Sequence, residues 1–194
     1  MRVIAGSARR LILKTPAGVE TRPTADKYKE TLFNVLQPYL YADTEFLDLF
    51  SGSGAIGIEA LSRGVHHAVF VERSKPALQC IEENLQKTHL YDRAQVISRD
   101  VFTALAQLNG RNAFDIIFMD PPYGQELERQ VLEVLRSSGL LKEDGLVIME
   151  VSNDTDLSYL QDNASAFEII KTKTYKTNAH VFLRRKKKED EVEA

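Results

Sequence analysis

Cysteine occurs once in these 194 residues, as Cys80, so no internal disulfide can form; with only four scattered histidines there is no ligand cluster for zinc or another metal. No apolar run is long enough to cross a bilayer. No stretch is rich enough in glycine and serine to read as a linker, and no internal repeat stands out. Met1-Arg2-Val3-Ile4-Ala5-Gly6 leads straight into polar sequence, so no signal peptide is expected. These absences describe a cytoplasmic chain with neither a metal nor a membrane partner, expected to be a monomer. A hydrophobic content of 43% over this length supports one full α/β core and leaves no room for a second large domain.

The charge of −3 is unevenly spread. Residues 1–30 carry seven basic against three acidic side chains, and residues 171–194 carry eight against four, so each end is +4 and the middle is −11. Basic ends around an acidic body suit a protein that meets phosphates at its margins. In the amino-terminal part the basic residues are interleaved with structural signals. A β-hairpin is predicted from Arg2–Ala5 and Arg10–Lys14, followed by Thr21-Arg22-Pro23-Thr24 capping a helix from about Ala25 to Tyr39. Tyr28, Leu32, Val35, Leu36 and Tyr39 would form its core-facing stripe. Arg9, Arg10, Arg22 and Lys27 are the candidate phosphate contacts.

The central chain alternates apolar runs near 46–50, 68–72, 94–99, 114–119 and 145–151 with helical patterns, which predicts a doubly wound, mostly parallel sheet. One predicted helix covers 74–88, with Ser74 as N-cap, Leu78, Ile81 and Leu85 as its stripe and Cys80 in its packing; another covers 126–138 and stops at Gly139. In such sheets ligands bind outside the carboxyl ends of the strands where the strand order reverses. If the first and fourth strands flank that reversal, the loops after them are neighbours.

The loop after the first strand is Ser51-Gly52-Ser53-Gly54, a tight turn where glycine lets the backbone approach a ligand and adopt positive φ. Gly52–Gly57 also fits G-x-G-x-x-G, which raises a nicotinamide dinucleotide as one candidate ligand. Asp48 in the strand before the glycines argues against it, since a carboxylate repels a pyrophosphate but favours a sulfonium and an ammonium. S-adenosylmethionine is therefore the expected cofactor. Ser51, Gly52 and Gly54 would cradle it, Glu72 at the end of the second strand would accept its ribose hydroxyls, and Asp100 and Val101 after the third would meet its adenine.

The loop after the fourth strand is Asp120-Pro121-Pro122-Tyr123. Both prolines lack an N–H and fix φ, so the loop is stiff and the Pro121 carbonyl is free to accept. Asp120 supplies a second acceptor beside it. Two acceptors can hold both hydrogens of an exocyclic amine and draw its lone pair out of conjugation, while Tyr123 offers a stacking face.

With these pieces in place the chain resembles, nearly end to end, the bacterial 16S ribosomal RNA (guanine-N2)-methyltransferases that modify guanine 966. The resemblance rests on Arg2–Gly6, Thr21–Thr24, Glu30–Leu36, Leu47–Gly54, Glu59–Gly64 and Asp120–Tyr123. It implies a Rossmann-like class I methyltransferase sheet with a carboxyl-terminal antiparallel hairpin and a small amino-terminal hairpin and helix extension. The implied division is an RNA-contacting extension at 1–40, a catalytic domain at 41–185 and a charged tail at 186–194. The implied substrate is 16S ribosomal RNA in a small-subunit particle, with Asp120, Pro121 and Tyr123 holding the guanine. Lys27 and Lys29 stand where the family usually has arginine, and Tyr175-Lys176-Thr177-Asn178 replaces a more typical Tyr-Gly turn, so local RNA contacts would differ.

Alternatives remain at this point. An adenine-N6 methyltransferase would use the same loop but wants a target-recognition insertion this chain lacks. A protein glutamine methyltransferase more often has Asn at position 120. A non-catalytic RNA-binding assembly factor would not need an intact donor pocket.

Overall fold

A computed structural model describes residues 1–16, 23–162 and 164–187. Seven strands form one sheet in the order β3-β2-β1-β4-β5-β7-β6. These are β1 (Glu45–Leu49), β2 (His67–Glu72), β3 (Ala94–Ser98), β4 (Phe114–Met119), β5 (Leu141–Ser152), β6 (Phe167–Thr174) and β7 (Asn178–Arg185). The first five run parallel; β7 is antiparallel to β5, and β6 is antiparallel to β7. The order reverses between β1 and β4, where Asp48 pairs with Phe118 and Leu49 with Met119. Five helices complete the fold: α1 (Pro23–Leu36), α2 (Ala55–Ser62), α3 (Lys75–Thr88), α4 (Val101–Leu108) and α5 (Leu127–Ser137).

Strand side chains alternate between two cores, as a period of two requires. Leu47, Leu49, Val69, Ile117, Met119, Val147 and Met149 pack with Leu105, Val131 and Leu135 on one face. Phe46, Phe70, Ile116, Phe118, Ile148 and Phe182 pack with Leu32, Phe33, Leu36, Ile58 and Ile81 on the other. Cys80 is buried in that helical packing. Val3, Ala8 and Leu13 join the second core, so the amino-terminal segment packs against the same body as the sheet.

That segment departs from the predicted hairpin. Only one antiparallel bridge forms, Arg2 with Ile12, flanked by hydrogen bonds from Val3 N–H to Leu11 and from Arg10 N–H to Val3. The N–H groups of Ile4 and Ala5 turn instead to the Glu59 carboxylate, at 2.7 and 3.0 Å, and so cannot extend a ladder. Gly6, at φ +82°, lies so close to Ser62 that a Cβ would sit 1.7 Å from its carbonyl oxygen.

Glu59 also corrects the reading of Lys29. Lys29 is 2% exposed, 3.3 Å from Glu59, and donates to the Arg2 carbonyl at 2.6 Å. Burial pulls its pKa down and Glu59 opposes that pull. Such a lysine is an internal fastener rather than part of the basic surface. Ser74 precedes α3 but its side chain makes no capping bond; its N–H goes to Glu72 at 2.8 Å. Tyr28 leaves the expected core stripe to stack on Tyr175, and Phe33 takes the buried position.

Candidate active site

At the carboxyl edge, β1 gives way to Phe50 at φ +60°, followed by Gly52 at +54° and Gly54 at +76°. Positive φ is readily available to glycine, and the chain needs it twice here to enter α2 within five residues of the strand. Gly57 lies against β2, where a Cβ would come 2.4 Å from the Phe70 ring.

Asp48 sits under this turn. It is 1% exposed, and its Oδ2 accepts the Gly57 N–H at 2.9 Å, fastening the first turn of α2 to β1. Burial pushes its carboxyl up to about 7; the Gly57 N–H opposes the rise and Glu72 adds to it. The Ser51 hydroxyl donates to the Asp48 carbonyl at 2.6 Å, and Glu72 accepts the N–H groups of Gly52, Arg73 and Ser74 at 2.8–2.9 Å. Glu72 thereby shapes two strand-end loops at once.

A cleft of about 530 Å³ opens beside the turn. Of the residues singled out from sequence, Glu72, Asp100, Val101, Asp120, Pro121 and Tyr123 line its wall; Asp48, Ser51, Gly52 and Gly54 do not, and support the turn from behind. Phe50, Arg73, Arg99, Phe102, Gln125 and Leu127 join the wall unanticipated. Asp100 N-caps α4, accepting the Thr103 N–H at 3.0 Å and the Thr103 hydroxyl, and these bonds, the hydroxyl first, hold its pKa below the usual value. The donor set suits S-adenosylmethionine: carboxylates at Glu72 and Asp100 for hydroxyls and an amine, and Phe50, Val101 and Phe102 for a ring.

The Asp120–Tyr123 loop stands directly across the sheet reversal, with the Asp120 N–H 3.5 Å from the Leu49 carbonyl. Asp120 opens to the cleft. The surrounding protein raises its pKa well above the ordinary carboxylate value, and the charges of Glu150 and then Asp48 push the same way. Access to solvent limits the burial contribution, so the two neighbouring carboxylates matter more than its position alone suggests. Tyr123 is 52% exposed, and its hydroxyl donates to Glu150 Oε1 at 3.4 Å. Pro121 and Tyr123 also border a second cleft of about 540 Å³, walled by Glu150, Glu128, Arg129 and Tyr159. The two clefts meet at the residues read as gripping the amine.

Sequence reasoning missed the side chains behind this loop. Glu150 Oε1 also accepts from the Asn178 amide, its Oε2 lies 3.1 Å from His180 Nε2, and the Tyr175 hydroxyl lies 3.1 Å from His180 Nδ1. The signal was present, since Glu150 ends an apolar run just as Asp120 does and Asn178, His180 and Phe182 alternate on one face of β7. Tyr175–Asn178, read as a variant turn, borders the site.

Arg9, Arg10 and Lys27 are exposed and line one depression of about 350 Å³ with Arg2, Asp26 and Glu30. Arg22 lies outside the described residues, as do Lys188 and the rest of the charged tail beyond it.

Comparison with known proteins agrees with this geometry. The profile of the family described as Conserved hypothetical protein 95 matches residues 1–184. Ribosomal RNA small subunit methyltransferase D of Haemophilus influenzae is 37% identical over 158 residues, 81% of this chain and 81% of that protein. The solved yhhF protein of Escherichia coli superposes with a TM-score of 0.81 at 30% identity, covering 95% of this chain and 97% of that one. The fold extends to SMU.776 solved with SAH, at TM-score 0.65 and 16% identity, covering 81% and 48% of the two chains. The chain belongs to the Conserved hypothetical protein 95 family, the family of the ribosomal RNA small subunit methyltransferase D enzymes, and is an S-adenosylmethionine-dependent methyltransferase.

Proposed function

We propose that this enzyme methylates the exocyclic N2 amine of a guanine in 16S ribosomal RNA, acting in the cytoplasm as a monomer on the assembled small-subunit particle. One observation carries the reading: Phe50, Glu72, Asp100 and Val101 line the same cleft as the Asp120–Tyr123 loop, beside the β1–β4 reversal, so donor and acceptor groups share one cleft. The methyltransferase D name of the relative supports a ribosomal RNA substrate.

Bound S-adenosylmethionine supplies an activated methyl group, so the protein has to align and accept rather than supply a strong base. Glu72, Asp100 and Val101 hold the donor, and the Gly52–Gly54 turn, tied to Glu72 through the Gly52 N–H, sets the position of that carboxylate. Asp120 and the Pro121 carbonyl accept hydrogen bonds from the two N–H groups of the amine, which loses one proton to solvent once methylated, and Tyr123 stacks on the base, which enters unpaired. Arg9, Arg10, Arg22 and Lys27 meet the surrounding phosphates. Residues 1–40 form the RNA-contacting extension of the catalytic body at 41–185. With so little chain outside the core, selection rests on the shape of the particle rather than on a long base-by-base reading.

The test is mass mapping of 16S RNA after incubation of undermethylated small-subunit particles, and of protein-free 16S RNA, with the enzyme and S-adenosylmethionine. One added methyl on a guanine N2, formed far faster on particles, is expected. A methyl on adenine N6, or none, contradicts the reading, and equal rates on both substrates remove the particle from it.

A further inference from the structure

Behind the base-gripping loop runs an unbroken series of side chains from α1, the turn after β6, β7 and β5. The Tyr28 ring stacks on Tyr175 at a centroid distance of 4.1 Å and 28° between planes. Tyr175 meets His180 at 3.1 Å, His180 meets Glu150 at 3.1 Å, and Glu150 accepts the Tyr123 hydroxyl. A carboxylate only accepts, so His180 Nε2 donates to Glu150, and the Tyr175 hydroxyl pairs with Nδ1 on the other side of the ring. Asn178 adds a second donor to Glu150 while its own Oδ1 is buried without a partner, which fixes the amide orientation, because a flip would set oxygen against carboxylate.

Register brings these groups together. Glu150 and His180 are direct Cα partners, and Met119 pairs with Met149, so Asp120 and Glu150 follow one another across adjacent strand ends. Tyr123 is half exposed on a loop with Gly124 at φ +76° and Glu126 at +51°, and its hydroxyl contact with Glu150 is the ring's polar anchor. A 3.4 Å contact is long for an O–H···O bond, and bonds of this kind shorten when a site fills.

We propose that Glu150 is a positioning residue for methyl transfer: braced by His180 and Tyr175, it holds Tyr123 in the stacking orientation and ties the loop to α1 through Tyr28. The proposal rests on the amine-gripping role given above to Asp120–Tyr123. It gives the amino-terminal extension a physical route to the reacting base, since RNA seated on α1 bears on the Tyr28–Tyr175 stack. It also assigns Glu150 a second effect. Facing Asp120 are Glu150 from β5 and Asp48 from β1, with Tyr123 on its own loop, Glu72 beyond Asp48 and His180 beyond Glu150. Removing the Glu150 charge lowers the Asp120 pKa, so the acid limb of the rate profile moves to lower pH.

The test uses full-length Glu150→Gln, Tyr123→Phe, the double variant and Tyr175→Phe. Calorimetry with S-adenosylmethionine should give affinities within about two-fold of the unmutated protein, while single-turnover transfer to small-subunit particles falls on the order of 100-fold for Glu150→Gln, the cost of a misplaced reacting group. Tyr123→Phe should lose less, and the double variant less than the product of the two, because they share one contact. The acid limb should shift down in Glu150→Gln and stay in Tyr123→Phe. Titration of the Asp120 carboxyl by ¹³C NMR should show the same downward shift without any RNA, which separates this proposal from the choice of substrate. Tyr175→Phe deletes one hydroxyl and should move the rate the same way by a smaller factor, giving a reading even where Glu150→Gln fails to fold. An unchanged rate, a loss matched by weaker donor binding, multiplicative losses in the double variant, or an unmoved Asp120 titration each overturns it.

Discussion

The two sides of the cleft are built in opposite ways. On the donor side, backbone bonds set the turn after β1, with Gly57 N–H on Asp48, Gly52 N–H on Glu72 and two glycines at positive φ, while Phe50, Glu72, Asp100 and Val101 reach the cleft from the ends of β1, β2 and β3 and the loops after them. On the acceptor side, Asp120, Tyr123, Glu150, Tyr175, Asn178 and His180 come from β5, β7 and two loops, and side chains make nearly every contact. A backbone-built site tolerates side-chain change except where a Cβ cannot fit. A side-chain-built site fails at single residues while its frame stays intact.

The sharpest break should come at Asp120. Asp120→Ala removes an acceptor on the amine, and single-turnover transfer should fall by about 10²–10³-fold, comparable to deleting one preorganised polar contact to a transition state. A rate within a few-fold of the unmutated enzyme would put the acceptor elsewhere.

Next is Glu72→Ala, which deletes the carboxylate expected on the ribose and frees three loop N–H groups. Donor affinity measured by calorimetry should weaken by about 1.5–3 kcal/mol. Unchanged affinity, or tight binding of NAD by the unmutated protein, would remove Glu72 from the donor site.

Gly57→Ala sharpens the contrast from the backbone side. Its Cβ would press into the Phe70 ring, and overpacking of this kind costs about 1–3 kcal/mol in urea unfolding. A neutral result would mean that the ring can move and that the third glycine has no packing role.

Asp48 yields a pH signature. Its folded pKa of about 7 lies above the unfolded carboxylate value, so the folded state holds the extra proton; the stability it contributes is complete below the unfolded pKa and is lost as pH rises through about 7. The slope is at most about 1.4 kcal/mol per pH unit. Asp48→Asn keeps an acceptor for Gly57 and should flatten that fall; identical unfolding curves across the range would show the carboxyl titrating normally.

Smallest is the effect of replacing Arg9 and Arg10 together. Binding to small-subunit particles should weaken, and the salt slope should flatten by about two charges' worth. An unchanged slope would take the hairpin out of the RNA interface.

The strand, glycine turn and helix of the donor side were legible because their determinants are local, whereas the inward turn of Asp48 and the absence of the glycines from the cleft wall depend on the folded packing. The sheet itself was legible from its apolar periodicity, while the position of β1 beside β4 was a supposition that the observed strand order bears out. Glu150, His180 and Tyr175 were not, because their meaning depends on which strands pair, and β7 inserts between β5 and β6. Lys29 misled for a related reason. Its charge resembles that of Lys27 two residues away, and only the buried Glu59, thirty residues on, turns it inward. The hairpin failed locally because that same carboxylate takes the N–H groups a ladder needs.

The most direct test of this division is the S-adenosylmethionine affinity of the Asp120→Ala protein, measured by calorimetry on the variant that has lost transfer. If the two sides have separate work, the affinity stays within about two-fold of the unmutated value, since Asp120 acts on the amine and not on the donor. A ten-fold or greater loss of donor binding would contradict the account.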